Sequence, residues 1–410
     1  MSLDWPWPAA VALAIPAGLG HLCHFILAIN VCSGLGYPES VMDRIRAVLY
    51  TGLWASAAFL LWEHLQHPWW TWPWPLRGYA VLCTIIGTAG WPLASLALAV
   101  RRRPTVVAHD LATCALAAAG RHADLIGDGR HSWLLRLPGN EAFRLCLREW
   151  DVALPGLPDP LEGLQIVQLT DLHLAPCFDR RYFERVVDAC RGWDADLLVL
   201  TGDVVEHEEA IGWIEPLLGP LEARLGKFAI LGNHDYQHQP GAVLDELVRA
   251  GFGTLEGDWT ALEVDGATIA LGGTSAPWGP DLDPRMMPPA DFRILLSHSP
   301  DRFSRAARWR IDLMFCGHNH GGQIRLPLAG AVFMPSVYSR RFDRGFFRRG
   351  KTLMYVSEGI AGKHPYRWGG CPPEITRFVL RAGQASALRP DLESWNARAQ
   401  RREALERDWV

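Results

Sequence analysis

Between Leu164 and His320 the chain passes five times through a short, almost wholly apolar run and leaves each one into residues that bind metals or move protons. Leu164 to Leu169 leads to Asp171-Leu172-His173. Leu197 to Leu200 leads to Gly202-Asp203, and Phe228 to Leu231 leads to Gly232-Asn233-His234-Asp235. Phe292 to Leu296 leads to His298-Ser299-Pro300, and Ile311 to Phe315 leads to Gly317-His318-Asn319-His320. Runs this apolar predict strands covered on both faces. Helix-like segments at 180–191 and 242–250 fall between some of them. That alternation predicts an α/β fold with a largely parallel sheet and a site at the carboxyl ends of its strands. Leu262 to Leu271, interrupted by Asp265-Gly266, predicts a hairpin.

The spacing of the polar ends points to one pocket. In Asp171-x-His173 and His318-x-His320, alternate residues of an extended chain project to the same side. Glycines at 202, 232 and 317 allow sharp turns at the strand ends. Asp171, His173, Asp203, Asn233, His298, His318 and His320 offer carboxylate, imidazole and one amide oxygen. Such a mixed set suits Mn, Fe, Zn or Co rather than a thiolate-seeking metal. It is too large for one catalytic ion and suits two divalent metal ions sharing a bridging carboxylate.

The first hundred residues have a different composition. Nine of the 19 Trp lie before Pro92, and three apolar stretches, Ala9 to Cys32, Ala47 to Trp62 and Tyr79 to Val100, follow one another. The first and third are long enough to span a bilayer, the second slightly short. The Trp-rich stretch at 69–75 suits a membrane interface. The first stretch lacks a basic leader and is followed by further spans, so it does not read as a cleaved signal. Arg44, Arg46 and Arg101 to Arg103 fall on one side of a three-span arrangement. The positive-inside rule then places the catalytic domain on the cytoplasmic side of a multi-pass inner-membrane protein. The expected organisation is a membrane region at 1–103, a linker at 104–140, a catalytic domain at 141–383 and a charged helix or tail at 384–410. An amphipathic helix is expected near 109–120 and a strand near 143–147. A net charge of −4 gives no global basic field, so nucleic acid is not an expected partner. Nine scattered cysteines without a C-x-x-C pair exclude a disulfide framework.

Taken in order, D-x-H, G-D, G-N-H-D, H and G-H-x-H resemble the calcineurin-like metallophosphoesterase superfamily over about residues 163–380. Asp171 to Leu174, Gly317 to Pro327 and Pro373 to Ile375 are similar to its bacterial branch. That branch often carries an N-terminal membrane segment and includes enzymes resembling UDP-diacylglucosamine pyrophosphatases. The resemblance implies a four-layer αββα sandwich. It implies one metal at Asp171, His173, Asp203 and His320, and another at Asp203, Asn233, His298 and His318. It also implies His234 as the catalytic His beside them. Glu206 stands where some relatives place an Asp that orients this His, and Asp235 is the other candidate. Asn319, where Thr is common, is expected to point away from the metals.

The expected function is metal-dependent hydrolysis of a phosphodiester or pyrophosphate in a membrane lipid intermediate. A phosphatase or phosphodiesterase of soluble nucleotides, and a non-catalytic membrane scaffold, are the alternatives. Arg325, Arg340 and Arg341, interleaved with aromatics from Phe333 to Phe347, are candidate contacts for an anionic phosphorylated substrate near the bilayer.

Overall fold

The split in composition is a split in structure. The computed structural model describes residues 7–101, 107–109 and 122–383. It divides into a helical unit, residues up to 102 together with Leu326–Arg341, and a second unit holding the rest.

In the helical unit, α1 (Trp7–Ser33), α2 (Glu39–Gln66) and α3 (Trp74–Ala99) are each long and apolar enough to cross a membrane. The second extends beyond its apolar stretch at both ends, and near its start Arg46 pairs with Glu39 at 2.6 Å and Asp43 at 3.1 Å. Pro92 has no N–H to give the preceding turn, and a π stretch, Ile86–Gly90, lies just before it. Glycine brings α1 and α3 together: a Cβ on Gly20 would lie 1.8 Å from the Cys83 carbonyl oxygen. Buried His21 is satisfied by Tyr79 Oη at 2.6 Å and Ser56 Oγ at 3.2 Å.

Among the described residues, the second unit contains thirteen strands in two sheets. They are β1 (Val107–His109), β2 (Cys146–Leu154), β3 (Gln165–Leu169), β4 (Leu197–Thr201), β5 (Lys227–Ile230), β6 (Phe252–Thr254), β7 (Trp259–Val264), β8 (Ala267–Thr274), β9 (Phe292–Ser297), β10 (Leu313–Cys316), β11 (Gly345–Arg349), β12 (Thr352–Val356) and β13 (Glu374–Ala382). One sheet has the order β1-β2-β13-β3-β4-β5-β6, the other β11-β12-β10-β9-β8-β7. The five expected apolar runs are β3, β4, β5, β9 and β10, so the ligand-bearing ends come from both sheets. Both sheets are largely parallel, as expected, with antiparallel strands at three edges and at β13–β3. The pairs among β3 to β6 are parallel, as are β8–β9, β9–β10 and β10–β12, while β13 runs antiparallel to β3 and the edge strands β1, β7 and β11 are antiparallel to their neighbours.

The sheets bury one core between them, including Ile166, Val199 and Ile230 with Ile269, Ile294, Phe315 and Phe378. On the outer face of the first sheet, α4 (Arg180–Cys190), α5 (Ile214–Leu218) and α6 (Pro240–Arg249) cover a second core with Val186, Leu217, Val243 and Leu247. The short α7 (Phe303–Arg308) lies beside β11 and β12. This is the expected αββα layering. α4 begins because Asp179 caps it, accepting from Arg181 N at 3.0 Å, and it buries Tyr182, Phe183, Val186 and Val187 along one stripe. The hairpin forms as expected: Asp265 (φ 47°) and Gly266 (φ 88°) supply the two left-handed residues of its turn.

Three boundaries differ from the sequence reading. Residues 122–140, expected as linker, place Leu125 and Leu135 in the core, and Asp179 N donates to the Leu125 carbonyl at 2.9 Å. The strand expected at 143–147 begins at Cys146, where pairing with β13 starts. Leu326–Arg341, expected within the catalytic domain, belongs to the helical unit. Val107–His109 is a strand, and the rest of the expected 109–120 helix, like the 384–410 tail, lies outside the described residues.

Candidate dinuclear metal centre

All seven ligand-type residues converge where β3, β4, β5, β9 and β10 end. Asp171, His173, Asp203, His298 and His318 do so with almost no solvent exposure, while Asn233 and His320 are half-buried. Convergence does not come from alternation along extended chain. Asp171 (φ 52°), His173 (φ 42°), Asp203 (φ 52°), His318 (φ 68°) and His320 (φ 45°) are all left-handed. Such backbone costs of order 1–3 kcal/mol per residue and persists only where the surroundings enforce it. The enforcement is visible: Asp171 N donates to the Gly202 carbonyl and His173 N to the Asp203 carbonyl, each at 2.9 Å. Of the three expected turn glycines only Gly202 has positive φ, at 91°. Gly232 and Gly317 serve close approach instead, since a Cβ would lie 2.1 Å from Asp203 Oδ1 or 2.2 Å from Asp171 Oδ2.

Two donor clusters share Asp203: Asp171, His173, Asp203 and His320 form one, and Asp203, His298 and His318 the other, with the atoms of each within 4.8 Å of one another. His173 Nε2 is 3.2 Å from His320 Nε2 and 3.4 Å from Asp203 Oδ2. His298 Nε2 is 3.2 Å from each of Asp203 Oδ2, Asn233 Oδ1 and His318 Nδ1. Donors about 2.1 Å from a common ion stand about 3.0–3.4 Å apart, so the clusters have the right size.

Their polarity also fits a cation. His298 Nδ1 donates to the Thr201 carbonyl at 2.8 Å and His173 Nδ1 to Glu206 Oε2 at 2.8 Å. With the rings neutral, as a bound cation would require, each Nε2 would present its lone pair to that cation; Asp203 Oδ2 is buried without a hydrogen-bond partner. Burial would hold His298 neutral, but the charge of Asp203 outweighs it and lifts the imidazole to about 9. The pocket draws positive charge.

His234 stands beside this centre. Its backbone N–H donates to Asp203 Oδ1 at 2.8 Å, and its Nδ1 forms an ion pair with Glu206 Oε2 at 2.6 Å. Burial opposes a charged ring here, but Asp203 and Glu206 outweigh it and hold His234 up at about 9. Of the two candidate partners, Glu206 is the one in contact, and it binds His173 as well. Asp235 instead accepts from Val204 N, Val205 N and Gly232 N, tying the β4 and β5 turns together.

Arg325 donates to the Gly321 carbonyl at 2.6 Å and pairs with Asp343 at 3.0 Å. Arg340 and Arg341 lie in the helical unit. Asn319 is buried and donates to the Phe342 carbonyl at 2.7 Å. Sequence reasoning missed Trp278, whose ring lies 4.7 Å from that of His318. It follows no apolar run and carries no ligand atom, so nothing in the motif pattern marks it.

Two sheets sandwiched between helices, with a two-cluster donor site at their strand ends, define a metal-dependent phosphoesterase. The calcineurin-like phosphoesterase family model matches residues 164–322. The chain is similar to the uncharacterized metallophosphoesterase YkuE of Bacillus subtilis (strain 168), 33% identical over 55% of this chain and 82% of that protein. It is similar to phosphodiesterase YaeI of Escherichia coli (strain K12), 30% identical over 54% of this chain and 84% of that protein. It is also similar to the UDP-2,3-diacylglucosamine pyrophosphatase LpxG of Chlamydia muridarum (strain MoPn / Nigg), 27% identical over 56% of this chain and 88% of that protein. The chain belongs to the calcineurin-like metallophosphoesterase family, hydrolases of phosphoester bonds that use dinuclear metal centres.

Proposed function

We propose that this chain is a membrane-anchored hydrolase that cuts a phosphodiester or pyrophosphate bond in a lipid-linked substrate. The observation that carries the reading is the joining, in one chain, of the two-cluster site to three helices long enough to cross a bilayer. A soluble substrate reaches a site by diffusion and gains little from an anchor, whereas a lipid confined to the same surface gains effective concentration. The similarity to a protein named as a UDP-2,3-diacylglucosamine pyrophosphatase supports the same class. The arginines on one side of the three-span arrangement favour a cytoplasmic catalytic unit.

In this reading Asp171, His173, Asp203 and His320 hold one divalent ion, and Asp203, Asn233, His298 and His318 the other, with Asp203 in both sets. The ions, when bound, supply Lewis-acid activation of water and neutralise charge on the phosphoryl oxygens. His234, protonated and held by Glu206, gives its proton or a hydrogen bond to the leaving oxygen, help worth typically about 10²–10⁴-fold. Glu206 also fixes the tautomer of His173, so one carboxylate serves both the proton donor and a ligand. The test is hydrolysis by metal-loaded, full-length protein in mixed micelles, comparing a nucleotide-linked lipid with soluble nucleotide diesters of equal leaving group. Preference for the lipid supports the reading, and equal or better turnover of the soluble diesters rejects it.

A further inference from the structure

Leu326–Arg341 begins six residues after His320, yet it is built into the helical unit. The contacts are specific. Asn30, buried near the end of α1, donates through Nδ2 to the Val332 carbonyl and to Ser339 Oγ, both at 3.1 Å, and its Oδ1 accepts from Met334 N at 3.0 Å. A Cβ on Gly34, just beyond α1, would lie 2.4 Å from Val337 N. Arg340 is almost fully buried, donating to Ser95 Oγ at 3.2 Å and the Ala329 carbonyl at 2.9 Å, with its guanidinium 3.8 Å over the Trp91 ring of α3. Arg101 donates to the Arg341 carbonyl. These anchors lie in the last turns of α1 and the last segment of α3, and α2 begins at that end of the bundle with Glu39.

The apolar side chains of this segment divide in two. Met334 and Ala331 are buried, whereas Leu328 is 98% exposed, Phe333 52% and Leu326 46%. Single exposed apolar residues are ordinary on a soluble protein. Three within eight residues, on a backbone fixed at the ends of membrane-length helices, form a patch that calls for a partner. Arg44, Arg46 and Arg101 belong to the same end of the bundle in sequence, as a surface of anionic lipid headgroups would require.

We propose that Leu326–Arg341 is a lipid-facing loop, its Leu326, Leu328 and Phe333 side chains seated at the boundary between headgroups and acyl chains. The partner is the bilayer itself, in continuity with the lipid around α1 and α3. The inference rests on the membrane-anchored reading above. The residues that flank the loop in sequence pair within the catalytic unit, Asn319 with the Phe342 carbonyl and Arg325 with Asp343.

Full-length protein in vesicles of phosphatidylethanolamine and phosphatidylglycerol tests this. An environment-sensitive fluorescent amino acid is placed, in separate samples, at position 328, at position 54 on the exposed face of α2, and at position 285 on the surface of the catalytic unit. Emission at 328 should be blue-shifted, quenched by lipids doxyl-labelled near the headgroup and protected from aqueous iodide. Position 54 should be quenched by lipids labelled deeper in the chain, and 285 by iodide alone. Water-like emission at 328 with lipid quenching at 54 overturns the loop inference and leaves the anchor standing. Iodide quenching at both positions overturns the anchor and the loop together.

Discussion

Asp203 is the residue on which the site depends most. Its Oδ2 faces both donor clusters, and its Oδ1 fixes the His234 backbone. Asp203→Asn keeps the shape but removes the charge that the imidazole lone pairs surround. Metal content should fall, and activity should drop by more than the roughly 10–100-fold typical of losing an outer partner of a ligand. Elemental analysis beside circular dichroism separates this from unfolding, and a variant with full metal and full turnover would reject the assignment. Glu206→Gln should cost about 10–100-fold, since it weakens the hold on His173 and on His234 together.

His234 gives a pH signature at the same scale. Its carboxylate neighbours hold it near 9, and bound cations push it down from there. Being raised above the ordinary histidine value, it is protonated at neutral pH and loses the proton as pH rises. Turnover of a substrate with a poor leaving group should therefore decline on the alkaline side. His234→Asn should remove that decline and lower the plateau, with a smaller loss for a good leaving group. An unchanged alkaline limb in the variant would remove His234 from the acid role.

At the scale of elements, the strands that carry ligands were legible in the sequence because they are short, apolar on both faces and followed at once by polar residues. The hairpin at Asp265-Gly266 was legible for a local reason as well, since few residues accept two positive φ angles in a row. What was not legible is set by tertiary context. Nothing in Asp171-Leu172-His173 announces left-handed backbone, because the enforcing hydrogen bonds come from Gly202 and Asp203, about thirty residues on. Glu206 could not be preferred over Asp235 until three backbone N–H groups were seen to occupy Asp235. Residues 122–140 read as linker because their composition is mixed, yet Leu125 is fully buried. Leu125→Ala should destabilise the catalytic unit by about 2–5 kcal/mol. Thermal unfolding of the full-length protein measures it, and a cost under about 0.5 kcal/mol, the range of ordinary surface changes, would return the segment to linker status.

At the scale of the whole molecule, two kinds of patterning meet in one chain. The helical unit is read by hydropathy and arginine placement, and the catalytic unit by strand-end motifs. Leu326–Arg341 escaped both readings because its ties to Asn30, Trp91 and Ser95 join residues more than 240 positions apart, and no local pattern records them. Anchoring implies a topology: in whole cells, the turn at Trp69 to Thr71 should be reachable by impermeant reagents, and residues following Arg101 should be protected. The reverse pattern would invert the orientation. The central claim, a two-ion phosphoesterase held by these seven residues, is tested most directly by titrating metal-free, full-length protein with Mn²⁺ while following both bound metal and hydrolysis of a chromogenic phosphodiester. Two ions per chain should bind with activity rising as they do, and Asp203→Asn should lose at least one ion and most of the activity. Hydrolysis at the full rate without metal, or unchanged binding in that variant, would contradict it.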